Sequence, residues 1–193
     1  MLTKEQRILD AATCLFHRHG YCKVCMSDIA EAAAMSRPTL YASFSCKEAI
    51  YAALIRQQCA KSQVESAAML ARTVDLKARL INLFEIWIVG PVTAVLTSEN
   101  ATELLANCAS YAPEAVAEQH AQFKEHLATV LRPACNGQGA LSAEDIAAIM
   151  CLATTSIKAS AESEPKLRYL VDGLVTMALA TVCQDKLTKR NTI

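Results

Sequence analysis

A chain of 193 residues with 53% apolar side chains is long enough for one large domain, or a small one joined to a larger one, and can bury a substantial core. Glycine and proline are scarce at five each while alanine and leucine abound, so the expectation is a mostly helical protein. The formal net charge of zero argues at first against a polyanionic partner, but residues 1–60 hold seven Lys or Arg against five Asp or Glu, leaving 12 against 14 in the remainder. That imbalance turns the basic end of the chain towards a polyanion such as nucleic acid.

In chain order, residues 4–19 are expected to form a first helix, with Ile8, Ala12, Leu15, Phe16 and His19 on one face and Gly20 as its C′ residue. Lys4, Glu5, Arg7 and Asp10 interrupt any apolar run, so nothing at the amino terminus resembles a signal peptide. Tyr21 to Cys25 reads as a loop, residues 26–34 as a second helix and residues 37–43 as a third. Ile29 and Ala30, Met35, then Leu40 and Phe44 fit two short helices whose apolar faces meet at an angle, a helix-turn-helix. Ser36 is placed to cap the third helix, and Pro38 falls in its first turn, where a missing N–H costs little. A helix started in this way turns Arg37, Thr39, Tyr41 and Ser43 away from Leu40, a set of donors suited to base edges and phosphates.

A fourth helix should begin at Cys46 or Lys47 and run to about Leu70, with Ile50, Ala53 and Leu54 inward. No Gly- or Pro-rich linker interrupts it, so it is expected to be shared by two domains, residues 1–50 and 51–193. Further helices are expected at about 74–89, 92–109, 113–132, 142–161 and 164–187. The breaks are set at Gly90-Pro91, Ala112-Pro113, Arg132-Pro133 with Asn136-Gly137-Gln138-Gly139, and Glu164-Pro165, and Ser98-Glu99-Asn100 can split the 92–109 stretch in two. The most hydrophobic window, Leu80 to Leu96, contains Asn82, Glu85 and Gly90-Pro91 and reads as a core helix, not a membrane span. Ser142-Ala143-Glu144-Asp145 is a helix-start signature. The final helix carries Leu167, Leu170, Val171, Leu174, Val175, Ala178, Leu179 and Val182, an apolar stripe wide enough to need cover from its own domain, from a second copy of the chain, or from both.

No catalytic constellation is present: there is no phosphate-binding Gly-rich loop, no nucleophile elbow and no His-Glu-x-x-His, and the chain is expected not to be an enzyme and to need no cofactor. His17, His19, Cys22 and Cys25 fall within nine residues, but His17 and His19 point about 200° apart on a helix, so no metal site is expected. Nine cysteines without a secretion signal point to reduced thiols in a cytoplasm.

Ile8-Leu9-Asp10-Ala11-Ala12 with Leu15-Phe16, His19-Gly20-Tyr21, Asp28-Ile29-Ala30, Ser36-Arg37-Pro38-Thr39-Leu40-Tyr41, Phe44 and Lys47-Glu48-Ala49 together resemble the amino-terminal domain of the tetracycline-repressor (TetR) family. About the first fifty residues carry this resemblance, and the remainder matches only in length and helical pattern. The chain departs from the family at Ala34, where many members have Gly, and at Cys25 and Cys46, where they carry small polar caps. Ala34 costs roughly 1 kcal/mol relative to Gly if its φ is positive.

The resemblance implies an all-α fold with an N-terminal helix-turn-helix domain and a larger C-terminal helical domain for ligand binding and dimerisation. It implies a ligand-responsive repressor that binds a partly palindromic operator as a homodimer through its last two helices. Ser27, Ser36, Arg37, Pro38, Thr39, Tyr41, Ser43 and Lys47 would then face DNA, with Arg37 and Thr39 touching base edges or phosphates and Tyr41 and Lys47 holding the DNA backbone. Trp87 either packs in a core or, with Met69, Phe84, Cys108, Tyr111, His120 and Phe123, lines a cavity for a small apolar or aromatic inducer. A thiol-sensing regulator of the same fold is the alternative, with Cys46 and Cys25 as redox candidates.

Overall fold

The structure, a computed structural model, describes residues 3–135, 140–160 and 162–187. The break expected at Asn136-Gly137-Gln138-Gly139 lies outside the described residues. Among those residues there are nine helices and no strand: α1 Lys4–His19, α2 Met26–Ala32, α3 Arg37–Ser43, α4 Lys47–Leu70, α5 Leu76–Leu96, α6 Ala101–Tyr111, α7 Pro113–Leu131, α8 Ala143–Ala159 and α9 Glu164–Leu187. The starts are capped as side-chain chemistry dictates. Thr3 Oγ1 accepts the Gln6 N–H at 3.1 Å, Asp75 accepts that of Ala78 at 2.8 Å, and Ser142 with Asp145 closes a reciprocal capping box on α8. Gly20 ends α1 at φ +82°, its N–H bonded to the Phe16 carbonyl at 2.9 Å.

The break expected at Gly90-Pro91 does not exist, and α5 runs through it. Residues Glu85–Val89 widen into one π-helical turn, and the Gly90 N–H reaches back five residues to the Glu85 carbonyl. A proline inside an α-helix removes the bond to the carbonyl four residues earlier and its ring collides with that carbonyl. The wider turn just ahead of Pro91 relieves both. Gly90 belongs to the same device, because a Cβ there would stand 3.2 Å from the Glu85 carbonyl oxygen. The actual interruption follows α5, before Ala101, at the Ser98-Glu99-Asn100 stretch.

The chain divides into two compact units, Met1–Ala60 with Ala94–Gln119, and Lys61–Thr93 with His120–Ile193. This departs from the expected boundary at residue 50, because α6 and the residues before it are bonded to the end of α1. Ser98 Oγ and Asn100 Nδ2 both donate to the His17 carbonyl, at 2.5 and 3.0 Å, and Leu104 is buried with Ile8, Phe16, Val24, Ile29, Leu40 and Ile50 in the first unit's core. In the second unit Leu80, Leu83, Phe84, Trp87 and Ile88 of α5 are buried with Phe123, Leu127, Met150, Leu167 and Val175. Helix α5 is long and apolar enough to cross a membrane, at 21 residues and mean hydropathy 1.5, but these side chains are buried within the unit and its Glu85 is ion-paired with Arg168 of α9.

Candidate nucleic-acid interface

Helices α2 and α3 are seven residues each, too short to stand alone in water, so their geometry is fixed by capping and by the core beneath them. Asp28 accepts the Cys25 N–H at 2.8 Å, and this bond holds its carboxyl below the usual carboxylate range. The turn between the helices closes through Ala34 N–H to the Glu31 carbonyl at 2.9 Å and Met35 N–H to the Ala30 carbonyl at 3.0 Å, with Ala34 at φ +52°. Arg7 of α1 donates to the Ala33 carbonyl at 2.6 Å and to that of Ala34 at 3.3 Å, clamping the turn from behind. Nothing in the sequence pattern marked Arg7 for this role, since the contact joins residues distant along the chain.

Ser36 Oγ accepts the Thr39 N–H at 3.3 Å and shares a 2.8 Å hydrogen bond with the Thr39 hydroxyl, which starts α3 with Pro38 in its first turn. Leu40 is fully buried and pins the helix to the core. The opposite face is open: Ser36, Arg37 and Pro38 are exposed, Tyr41 is 52% exposed, and Ser27, Thr39 and Ser43 are half-buried beside them. One guanidinium, a phenol and several hydroxyls therefore stand on a rigidly seated helix, an arrangement able to donate hydrogen bonds to base edges and phosphates.

Lys47 differs from the expectation of a phosphate grip. Its Nζ donates to the carbonyls of Tyr21 at 2.7 Å and Val24 at 2.8 Å and lies 4.1 Å from the centroid of the Tyr21 ring. Those carbonyls belong to the loop after α1, where the Tyr21 carbonyl also accepts a long 3.4 Å bond from the Val24 N–H, and the ammonium bonds to both, so Lys47 acts first as an internal tie between α4 and that loop.

Residues 8–54, which contain the turn and the capped α3, match the model of the bacterial regulatory proteins of the tetR family. The chain's amino-terminal domain is a tetR-family regulatory domain. An HTH-type transcriptional regulator of Mycobacterium tuberculosis is 36% identical over 75 residues, which is 39% of this chain and 37% of that protein. The chain thus matches little more than a third of the length of that relative. Among solved structures, the fatty acid degradation regulator FadR from Bacillus halodurans superposes with a TM-score of 0.71 at 16% identity, covering 93% of this chain and 96% of that one. Thermus thermophilus FadR, a TetR-family repressor solved with lauroyl-CoA, gives 0.63 at 19% identity, covering 91% and 93%. These likenesses show that the TetR-family fold extends over both units.

Of the seven residues expected to line one cavity, Cys108 and Tyr111 belong to the first unit and Met69, Phe84, Trp87, His120 and Phe123 to the second. Tyr111 belongs to the first unit, where its ring stacks on Tyr21 with centroids 3.8 Å apart and its hydroxyl donates to Glu103 at 3.0 Å, and Cys108 lies on the same helix. Trp87, Phe84 and Phe123 lie in the second unit and pack closely, Trp87 against Phe123 at 5.8 Å and Phe84 against Phe123 at 5.2 Å. The indole N–H donates to the buried Ser66 hydroxyl at 2.8 Å. Met69 and His120 are half-buried in that unit, and burial lowers the His120 pKa.

Proposed function

We propose that this TetR-family protein is a cytoplasmic, ligand-responsive repressor of transcription, not an enzyme, that binds a partly palindromic duplex operator as a homodimer. The observation that carries the reading is the seating of α3, with Leu40 fully buried while Arg37, Pro38 and Tyr41 face outward from a turn clamped by Arg7. Dimerisation is supported by apolar side chains left exposed on the last two helices, Ile149 and Leu152 on α8 and Tyr169 and Met177 on α9. A two-fold protein matches half-sites about one helical turn or a little more apart.

A small apolar inducer is supported by the aromatic core around Trp87 and by three buried polar atoms of the second unit without a hydrogen-bond partner, Thr93 Oγ1, His120 Nε2 and Gln122 Oε1. Unpaired buried groups of this kind are rare in finished interiors. Such a ligand weakens DNA binding only by preferring a conformation whose two recognition helices no longer match adjacent grooves, and a preference of about 3 kcal/mol shifts the balance more than a hundredfold. Oxidation at Cys46 or Cys25 is a second route to release, supported by the position of both sulfurs in one groove that also contains Tyr41. The test is selection of duplexes from a random-sequence pool. An enriched partial palindrome is expected, and Arg37→Ala should weaken its binding at least tenfold and reduce the log–log salt slope by about 1. Absence of any enriched sequence, with wild type and variant binding alike, overturns the reading.

A further inference from the structure

A groove of about 400 Å³ opens on the first unit beside the recognition helix, lined by Cys22, Cys25 and Met26 on one side and by Tyr41, Cys46 and Lys47 on the other. Two cysteines three residues apart and a third from a distant segment therefore face one space. All three are free thiols, Cys22 and Cys25 exposed and Cys46 half-buried. The two exposed thiols stand on pinned backbone: the Cys22 N–H is held by Glu103 at 3.0 Å and the Cys25 N–H by Asp28 at 2.8 Å. The Cys22 sulfur lies 3.6 Å from the Tyr111 hydroxyl. Beside them stands a fixed cation, since the Lys47 ammonium is anchored on the carbonyls of Tyr21 and Val24, the residues that precede the two cysteines. Soft sulfur, a thioether and a phenol ring, with the ammonium groups of Lys23 and Lys47 and the carboxylate of Glu48 in the same lining, suit a small, conjugated, electron-poor carbonyl compound.

We infer that this groove is a covalent receptor site for small α,β-unsaturated carbonyl compounds, which add to Cys22 or Cys25 and displace DNA. The thiol gives its proton to water and the sulfur bonds to the β-carbon of the acceptor. The π pair of the C=C bond moves towards the carbonyl, where the developing negative charge faces Lys47, and the α-carbon then takes a proton from water. Nothing leaves, and no oxidant is consumed. The adduct fills the space beside Tyr41 that a duplex must approach, so capture and DNA binding exclude each other. This inference rests on α3 being the DNA-reading helix.

The test uses N-ethylmaleimide as the probe at one equivalent, with peptide mass mapping, and anisotropy of a duplex selected from a random pool on the full-length protein. Cys22 and Cys25 should be labelled at least tenfold faster than Cys14, which is exposed but outside the groove. Bound duplex should slow that labelling at least tenfold, and the labelled protein should lose at least tenfold in affinity. The Cys22→Ser/Cys25→Ser variant should bind duplex as wild type does and keep its affinity after maleimide treatment. Equal labelling of Cys14, or release that persists in the double variant, overturns the inference, and the mass mapping on wild type decides by itself should the variant not fold. Labelled protein that binds duplex unchanged overturns the inference alone. Unlabelled protein that binds no duplex overturns the DNA reading and this inference with it.

Discussion

Ala34 holds a backbone conformation that costs an L-residue with a Cβ about 1–2 kcal/mol, and Arg7 and the turn's own hydrogen bonds keep it there. Glycine would lose that strain but gain entropy when unfolded, so Ala34→Gly should stabilise the protein by up to about 1 kcal/mol. A thermal melt should show Tm higher by roughly 2–4 °C, and a lower Tm would mean that the left-handed turn is not strained. Lys47 behaves in the opposite way. Lys47→Ala removes the side-chain donor from the Tyr21 and Val24 carbonyls, the first keeping a long bond from the Val24 N–H, and takes a cation off the Tyr21 ring, a loss of about 1–3 kcal/mol visible as a lower urea midpoint. Arg37→Ala should leave that midpoint within about 0.5 kcal/mol of wild type, since Arg37 is exposed. The outward set on α3 was legible because a cap, a first-turn proline and one buried leucine fix which side of a short helix faces the core. The roles of Arg7 and Lys47 were not, because both depend on carbonyls contributed by other segments.

At the scale of elements, α5 shows how a local rule is overridden. Gly90-Pro91 reads as a stop, but the side chains on both sides of it, Trp87, Ile88, Val89 and Val92, are all buried, and one wide turn lets the helix continue. Helix α4 meets this segment through Ser66, which is fully buried and accepts the indole N–H of Trp87. Ser66→Ala strands that N–H in the core and should cost about 1–3 kcal/mol, read by chemical unfolding followed through the fluorescence of the only tryptophan. An unchanged midpoint would show that the hydrogen bond contributes nothing. Ion pairs on the surface, such as Arg56 with Glu118 at 2.8 Å, are half exposed and contribute far less.

For the molecule as a whole, the exposed apolar side chains of α8 and α9 and three half-buried histidines make separate predictions. Leu152 is 74% exposed and Met177 64% exposed, so Leu152→Glu/Met177→Glu should leave helical circular dichroism unchanged and convert a dimer to a monomer in sedimentation. A wild type that sediments as a monomer would remove the dimer. His17, His120 and His126 all have pKa values lowered from 6.5 by burial, so each binds a proton less readily folded than unfolded. Their contribution is complete above 6.5 and is lost as pH falls through their lower folded values, whereas the carboxylates with lowered pKa start from ordinary values of 3.8 and 4.5 and act only at lower pH. Tm should therefore decline between pH 7 and pH 5, and a flat profile there would contradict the burial of these rings.

The sequence by itself determined the helical class, the span of most helices and the outward face of α3, because these depend on spacing, caps and turn residues a few positions apart. Tertiary structure alone decided that α6 belongs with the helix-turn-helix, that α5 passes through its proline, that Lys47 turns inward, and that Trp87 is packed by Phe123 and bonded to Ser66. Each of these outcomes joins residues far apart along the chain, where the gain from satisfying a buried carbonyl or filling space around an aromatic ring outweighs the local preference that the sequence displays.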